Sequence, residues 1–412
     1  MPAPSHHNTI DPARVDTLAR AAGFTAAGIA AVPVPGSRED EEERARFAEW
    51  IEGGRAGEMA YLQRRDEAGR LLRSSVRVVF PWARSVIVCA ANYNSEGPRS
   101  VDPAAADTGW IARYAWTGRA DGERPTDYHK VLLRRLDALR AAVGEEVGDF
   151  ESRCFVDTGP VVERVYARYA GLGWTGKNTC LLNQELGSWL FLGVIVTSLE
   201  VAAAHAALAP ILAADRCGSC TRCLEACPTG ALTGPREMDA SLCISYLTIE
   251  KRGEIPEGLR EEMGRQVFGC DICQDVCPWN RRAPVAADPE LAARGALVNP
   301  ALEWLGSMDE AEFERVFNGS PVRRAKYLGF RRNVAVAMGN SGRAQFRPTL
   351  ERWAKDADRV LGETAGWALG KLQSAENGRP GRGRDEKTRA EERTTGNRNW
   401  QEPRQTGPSG GE

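Results

Sequence analysis

Eight of the chain's eleven cysteines lie between positions 217 and 277. They read Cys217-x2-Cys220-x2-Cys223-x3-Cys227-Pro228, then Cys243, then Cys270-x2-Cys273-x3-Cys277-Pro278. The first run has bacterial ferredoxin spacing, in which three close thiolates bind one 4Fe-4S cube and the fourth, before proline, reaches the other. Applied here, the rule groups Cys217, Cys220 and Cys223 with Cys277, and Cys227 with Cys270 and Cys273. The second set is one ligand short, and Cys243 is the nearby candidate that completes it. Such a site passes electrons one at a time.

Zinc and disulfides are the competing readings. Two zinc sites would show paired C-x2-C motifs, often with His, and no His lies between 206 and 412. A disulfide framework belongs to small secreted domains, whereas this chain is long and shows no export signal.

Other stretches resemble chemical motifs less closely. Residues 171–178, GLGWTGKN, nearly match the phosphate loop, but Asn178 stands where a magnesium-binding hydroxyl belongs and the loop follows a helix. Its glycines and Lys177 describe a loop made for close approach to something anionic or bulky. Asp157-Thr158-Gly159 matches the aspartic protease signature without the second Asp such enzymes need. Read alone, Asp157 is a turn or N-cap residue ahead of a helix over 161–170. His129 follows Asp127 and Tyr128 as in a corrinoid D-x-H-x-x-G motif, but Leu132 replaces the glycine, so a solvated or core-capping role is expected. Cys89, Cys154 and Cys180 have apolar neighbours and read as buried structural thiols.

The window 321–350 holds seven basic residues, Arg323, Arg324, Lys326, Arg331, Arg332, Arg343 and Arg347, and no acidic one. With Tyr327, Phe330 and Phe346 interleaved, it reads as a phosphate-backbone surface suited to RNA.

The elements that must position these residues follow from periodicity. A helix is expected over 11–25, opened by Asp11 and Pro12, then a short strand over 26–34 and a stronger one over 85–93. Helical spacing over 127–143, a strand edge over 154–157, a helix over 161–170 and a strand over 187–198 complete an α/β domain. The cysteine module spans 215–282. Helix-packing segments over 331–339 and 359–372 resemble a HEAT-type unit, and the polar tail 374–412 is expected to be disordered.

At 412 residues, 42% hydrophobic and 27% charged, the chain has the length for two or three domains and an ordinary globular composition. Net charge of −2 makes any nucleic-acid contact a matter of local patches. Residues 1–10 resemble no signal peptide, and the longest apolar stretch, 189–196, is too short to cross a bilayer. A reducing, cytoplasmic setting without a membrane is expected, and it suits oxygen-sensitive clusters.

In order along the chain, GEMAYLQRR (57–65), ARYA (112–115), DYHK (127–130), VDTGPVVER (156–164), AGLGWTGKN (170–178), GSWLFLG (187–193), both cysteine runs, CISYLTIE (243–250) and RRNVAVAMGN (331–340) resemble the epoxyqueuosine reductases. That resemblance implies an α/β nitroreductase-like cobalamin domain over 1–214, a ferredoxin-like module with two 4Fe-4S clusters over 215–282, and a HEAT-like tRNA-binding domain over 283–373. It implies that Asp157 donates a proton, that Arg64, Lys177, Asn178 and Ser245 surround the cobalamin, and that Arg323, Arg324, Lys326, Arg331 and Arg332 meet tRNA. The expected activity reduces the epoxide of epoxyqueuosine in a tRNA anticodon region, by a monomer fed by an unidentified reductant. A corrinoid reductase of the dehalogenase type, acting on a small molecule, is the alternative; such enzymes typically carry a twin-arginine leader and need no basic patch.

Overall fold

The computed structural model describes residues 9–119, 125–202 and 213–377. Most of the tail expected to be disordered, 378–412, lies outside the described residues, while 374–376 end a helix.

Helix α1, Pro12–Ala21, is opened by Asp11, whose carboxylate accepts from the Ala13 N–H at 2.8 Å. Strands β1 (Ala26–Ala31), β2 (Ser85–Asn92), β3 (Ser152–Phe155) and β4 (Leu190–Thr197) form a sheet of order β1-β2-β4-β3. Every pairing in it is antiparallel. All eight residues of β2 are buried, because helices cover both faces. On one face Ile87, Cys89 and Ala91 meet Leu132, Leu136 and Leu139 of helix α2, Tyr128–Val147. On the other, Val86 and Val88 meet Tyr166 and Ala167 of helix α3, Glu163–Tyr169. Each fully buried leucine contributes about 1.5–3 kcal/mol of transfer free energy.

The cysteine module is built of short helices, α4 (Arg222–Ala226), α5 (Ile244–Ile249) and α6 (Ile272–Asp275). It is stitched into the α/β domain: Gln266–Phe268 pairs in parallel with Trp110–Ile111, and Ala292–Ala293 pairs antiparallel with Thr117–Gly118. Residues 283–291 also return to that domain, where Asn94 donates to the Ala283 carbonyl and Arg135 binds Asp288 at 2.6 Å. The helical segment therefore starts later than 283, with Leu302–Ser307 and Glu310–Phe317.

Helices α7 (Lys326–Ser341), α8 (Arg347–Trp353) and α9 (Arg359–Glu376) follow. Phe313, Phe317, Phe330, Leu350 and Leu361 form their core, which runs on into Ile111, Val267 and Phe268. No helix among the described residues is long and apolar enough to cross a membrane.

Candidate functional site

The cysteine sulfurs sort into two neighbourhoods. Cys223 lies by Cys277 and Cys217, and Cys277 by Cys217 and Cys220. Cys270 lies by Cys243 and Cys227, and Cys273 by Cys270 and Cys243. These neighbours fall within the sets expected from the crossing rule with Cys243 added, and Cys180 lies beside both Cys277 and Cys273. All eleven cysteines are free thiols. Among the described residues no three potential ligands converge on a single ion, whereas a 4Fe-4S cube takes one thiolate on each iron. The two quartets fit two such cubes.

The glycine-rich loop serves this module. It forms a hairpin of Trp174–Thr175 with Leu181–Leu182, and a Cβ at Gly173 would stand 2.1 Å from the Leu182 carbonyl oxygen, so only glycine fits. The indole N–H of Trp174 donates to the Cys217 sulfur at 3.5 Å. Lys177 Nζ donates to the Gly218 carbonyl at 2.6 Å, and the Asn178 amide to the Cys273 carbonyl at 3.3 Å. The bulky object that the glycines admit is thus the chain's own cysteine module. Both residues expected around the corrin thus also bind the module: Asn178 is 3% exposed and Lys177 is half-buried. Cys180 lies half-buried beside Cys273.

Asp157 lies on the loop after β3, with its side chain 55% exposed. Its backbone has φ 55°, a left-handed conformation uncommon for a non-glycine residue. It caps no helix, because the residue before α3 is Val162 and the Asp157 carboxylate turns instead to α2. There the Tyr128 hydroxyl donates to it, and His129 Nε2 lies 3.5 Å away. His129 Nδ1 is 2.9 Å from Asp127, giving an Asp127, His129, Asp157, Tyr128 chain of polar groups. Burial first, and the Asp157 charge second, push the Tyr128 hydroxyl well above the ordinary tyrosine range, so it remains a donor. Sequence reading assigned no role to Tyr128 and placed His129 in solvent or as a core cap. The signal available was their adjacency to Asp127 on the first turn of one helix.

Around this chain stand Arg73, which donates to the Asp157 carbonyl at 3.3 Å, and Tyr61, which lies between the Arg73 and Arg324 guanidinium groups. Glu163 is near Asp157, and its Oε1 is buried without a hydrogen-bond partner. Burial, then the Asp157 charge, raises Glu163 to about 7. Tyr114 stacks edge-on with Tyr128 and lies near Asp157 and near Asp271, the neighbour of Cys270, so it links the second quartet to the Asp157 site. Gly57, at φ +56°, packs against the Tyr246 ring and brings the 57–65 segment there. Arg64 is exposed, and Ser245 turns its hydroxyl toward the Cys243 sulfur.

The basic window is less free than its sequence suggests. Arg323 pairs with Glu314, Arg324 with Glu250 at 2.6 Å, and Arg331 with Asp356 at 2.9 Å. Lys326 has φ 61° at the start of α7. Arg332 is 1% exposed and cannot meet a polyanion: its guanidinium donates to the carbonyls of Leu247, Lys251 and Gly253. Asn333 donates to Thr248 and Val267, and Asn340 to Arg260 and Gly264. The RRNVAVAMGN segment is therefore a clamp between α7 and the cysteine module.

Comparison with known proteins identifies the family. Residues 216–280 match the 4Fe-4S double cluster binding domain, and residues 73–158 match the family described as epoxyqueuosine reductase QueG, DUF1730. An epoxyqueuosine reductase of Xanthomonas campestris pv. campestris is 40% identical over 364 residues, covering 87% of this chain and 95% of that one. One from Synechocystis sp. is 42% identical over 303 residues, covering 72% and 95%. The crystal structure of epoxyqueuosine reductase with a tRNA-Tyr epoxyqueuosine-modified stem loop superposes with a TM-score of 0.74 at 26% identity, covering 93% of this chain and 97% of that one. A Bacillus subtilis epoxyqueuosine reductase with its aspartate-bearing catalytic loop swung out of the active site gives 0.73 at 26% identity, covering 93% and 97%. The matched relatives are covered almost end to end, and the chain belongs to the epoxyqueuosine reductase family of oxidoreductases.

Proposed function

We infer that this chain reduces the epoxide of epoxyqueuosine in tRNA to the alkene of queuosine, with Asp157 as the proton donor. The observation that carries the assignment of Asp157 is its φ of 55°, with its carboxylate held between Tyr128 and His129. Functional groups are often held in such uncommon conformations. The tRNA-bound relative and the relative whose catalytic loop bears an aspartate support the same reading. The small-molecule dehalogenase alternative has no comparable support.

Converting an epoxide to an alkene consumes two electrons and two protons and releases water. When bound, cobalamin supplies a cobalt centre that delivers those electrons to carbon. The unpartnered Glu163 Oε1 and the exposed Arg64 fit a polar cofactor at the Asp157 site, and Arg64 with Ser245 would hold it. Lys177 and Asn178 would act one layer away, by fixing the cysteine module. Cys227, Cys243, Cys270 and Cys273 would ligate the cluster nearer Asp157, and Cys217, Cys220, Cys223 and Cys277 the farther one. Asp157 gives its proton to the departing oxygen. Tyr128, which stays protonated, fixes the carboxylate, and His129, steadied by Asp127, stands where it can return the proton. The Asp157 side chain is 55% exposed, so its enclosure waits for whatever fills the site.

The α/β domain fits a nitroreductase-like description, and α7 to α9 a HEAT-like one. Arg323, Arg324 and Arg331 would face tRNA only by exchanging acidic partners for phosphates, whereas the exposed Lys326 would meet a phosphate directly. A monomer in the cytoplasm, supplied by a separate reductant, completes the reading. The test is Asp157→Asn assayed with an epoxyqueuosine-containing stem loop: turnover should fall about 10²- to 10⁴-fold with stem-loop affinity unchanged. Full turnover would refute the assignment.

A further inference from the structure

Four exposed arginines are gathered at one of the two cysteine quartets. Arg216 precedes Cys217, Arg222 precedes Cys223, and Arg281 and Arg282 close the turn after Cys277. All four are exposed, and none has an ion-pair partner among the described residues. In the basic window Arg323, Arg324, Arg331 and Arg347 are each paired with an acid, while Lys326 and Arg343 are exposed without an ion-pair partner among the described residues. No arginine or lysine flanks Cys243, Cys270 or Cys273 in the sequence, so the charge is specific to the first quartet.

Between α4 and the 278–282 turn lies an open cavity of about 390 Å³ lined by Arg99, Arg222, Glu225, Ala226, Val276 and Arg281. Arg99 is tied to Asp102 and Glu225 accepts from Thr221, so Arg222 and Arg281 are the cavity's unpaired cations and, with the Glu225 carboxylate counted, leave its lining net positive. Its walls adjoin Cys223, Cys227 and Cys277, and therefore touch both quartets. This face is distinct from the Asp157 site, to which Tyr114 links the second quartet.

We propose that this arginine-rimmed face is the docking surface for an acidic one-electron carrier protein. The proposal rests on the reading that the clusters feed the reaction. Each encounter oxidises one carrier by one electron and reduces one cluster by one, and two encounters supply each epoxide. Oppositely charged patches steer such transient complexes and raise their association rates by about 10- to 1,000-fold at low salt. Electron-transfer interfaces are small, so a few unpaired arginines around a cavity are a footprint of suitable size.

The experiment uses the reconstituted holoenzyme and a photoreduced acidic flavodoxin, following cluster bleaching by stopped flow. The double charge reversal Arg222→Glu with Arg281→Glu should slow reduction about tenfold or more at low ionic strength, and the difference should vanish at high salt. Reduction by methyl viologen radical, iron content and stem-loop affinity should stay as in the parent. If the double variant loses its clusters, the parent's salt profile decides: the flavodoxin rate must fall steeply with ionic strength, and a flat profile overturns the proposal. An unchanged flavodoxin rate in the variant also overturns it. So does a selective loss of stem-loop affinity, which would make the face a nucleic-acid surface. Absence of epoxide reduction even with methyl viologen would instead count against the proposed function.

Discussion

The Tyr128 hydroxyl donates a hydrogen bond to the Asp157 carboxylate, joining the first turn of one helix to a residue whose backbone sits at φ 55°. Tyr128 is also stacked on Phe191 at 4.0 Å between ring centroids and is 5% exposed, so the donor is fixed by packing. Asp157 is thereby aimed by a rigid element although it lies on a loop. Tyr128→Phe keeps the ring and removes the donor. Turnover of the epoxide should fall about 10- to 100-fold, with cluster content and stem-loop affinity unchanged, as expected when a general acid loses its alignment. Single-turnover kinetics would check this, and an unchanged rate would show that the hydroxyl does not align the acid.

The Trp174 indole bond to Cys217 bears on the first cluster. A hydrogen bond to a ligating sulfur stabilises the added negative charge of the reduced state and so raises the potential. Trp174→Phe retains an aromatic ring to pack edge-on against Trp279 but removes the donor. The potential of one cluster should shift to more negative values while the other stays put, at full iron occupancy. An EPR-monitored redox titration reads both, and two unshifted potentials would make the tryptophan purely a packing residue.

Glu163 gives a pH signature. Its ordinary value of 4.5 is raised to about 7 in the fold, so the native state binds this proton more tightly than the unfolded chain does. Its contribution to stability is complete below the unfolded value and is lost as pH rises through the folded one. Glu163→Gln is neutral at every pH, so its stability relative to the parent should climb between roughly pH 5 and pH 8, by up to about 3 kcal/mol. Chemical denaturation at several pH values measures the difference; a constant offset would place the Glu163 proton elsewhere.

Arg332 separates a structural cation from a nucleic-acid contact. Burial lowers it to about 10, which leaves it charged at neutral pH, with its donors spent on backbone carbonyls. Arg332→Met should cost about 3 kcal/mol by stranding those carbonyls, and lower the urea midpoint accordingly. Stem-loop affinity of the folded protein should change by less than about twofold, because the residue reaches no phosphate. A tRNA-binding defect without loss of stability would reverse that interpretation.

The chemistry of this protein was legible where it depends on neighbours in the chain. Cluster ligands are grouped by x2 and x3 spacing, because one turn of backbone must present several thiolates to one cube, and proline stops the turn. Helices and strands were legible for the same reason: caps and periodicity are local, as Asp11 before α1 and the buried run of β2 illustrate. What the tertiary structure decided is who meets whom across long separations. Arg324 looked like part of a free basic surface until Glu250, 74 residues away, supplied its counter-charge. The Asn178 amide meets the Cys273 carbonyl, 95 residues on, a contact that no local pattern announces. Asp157 looked like a turn residue until Tyr128 and His129 were brought to its carboxylate. Spacing along the chain fixes which ligands can share a cluster. Burial and charge pairing arise only when distant segments pack, and they decide which polar groups remain free to act.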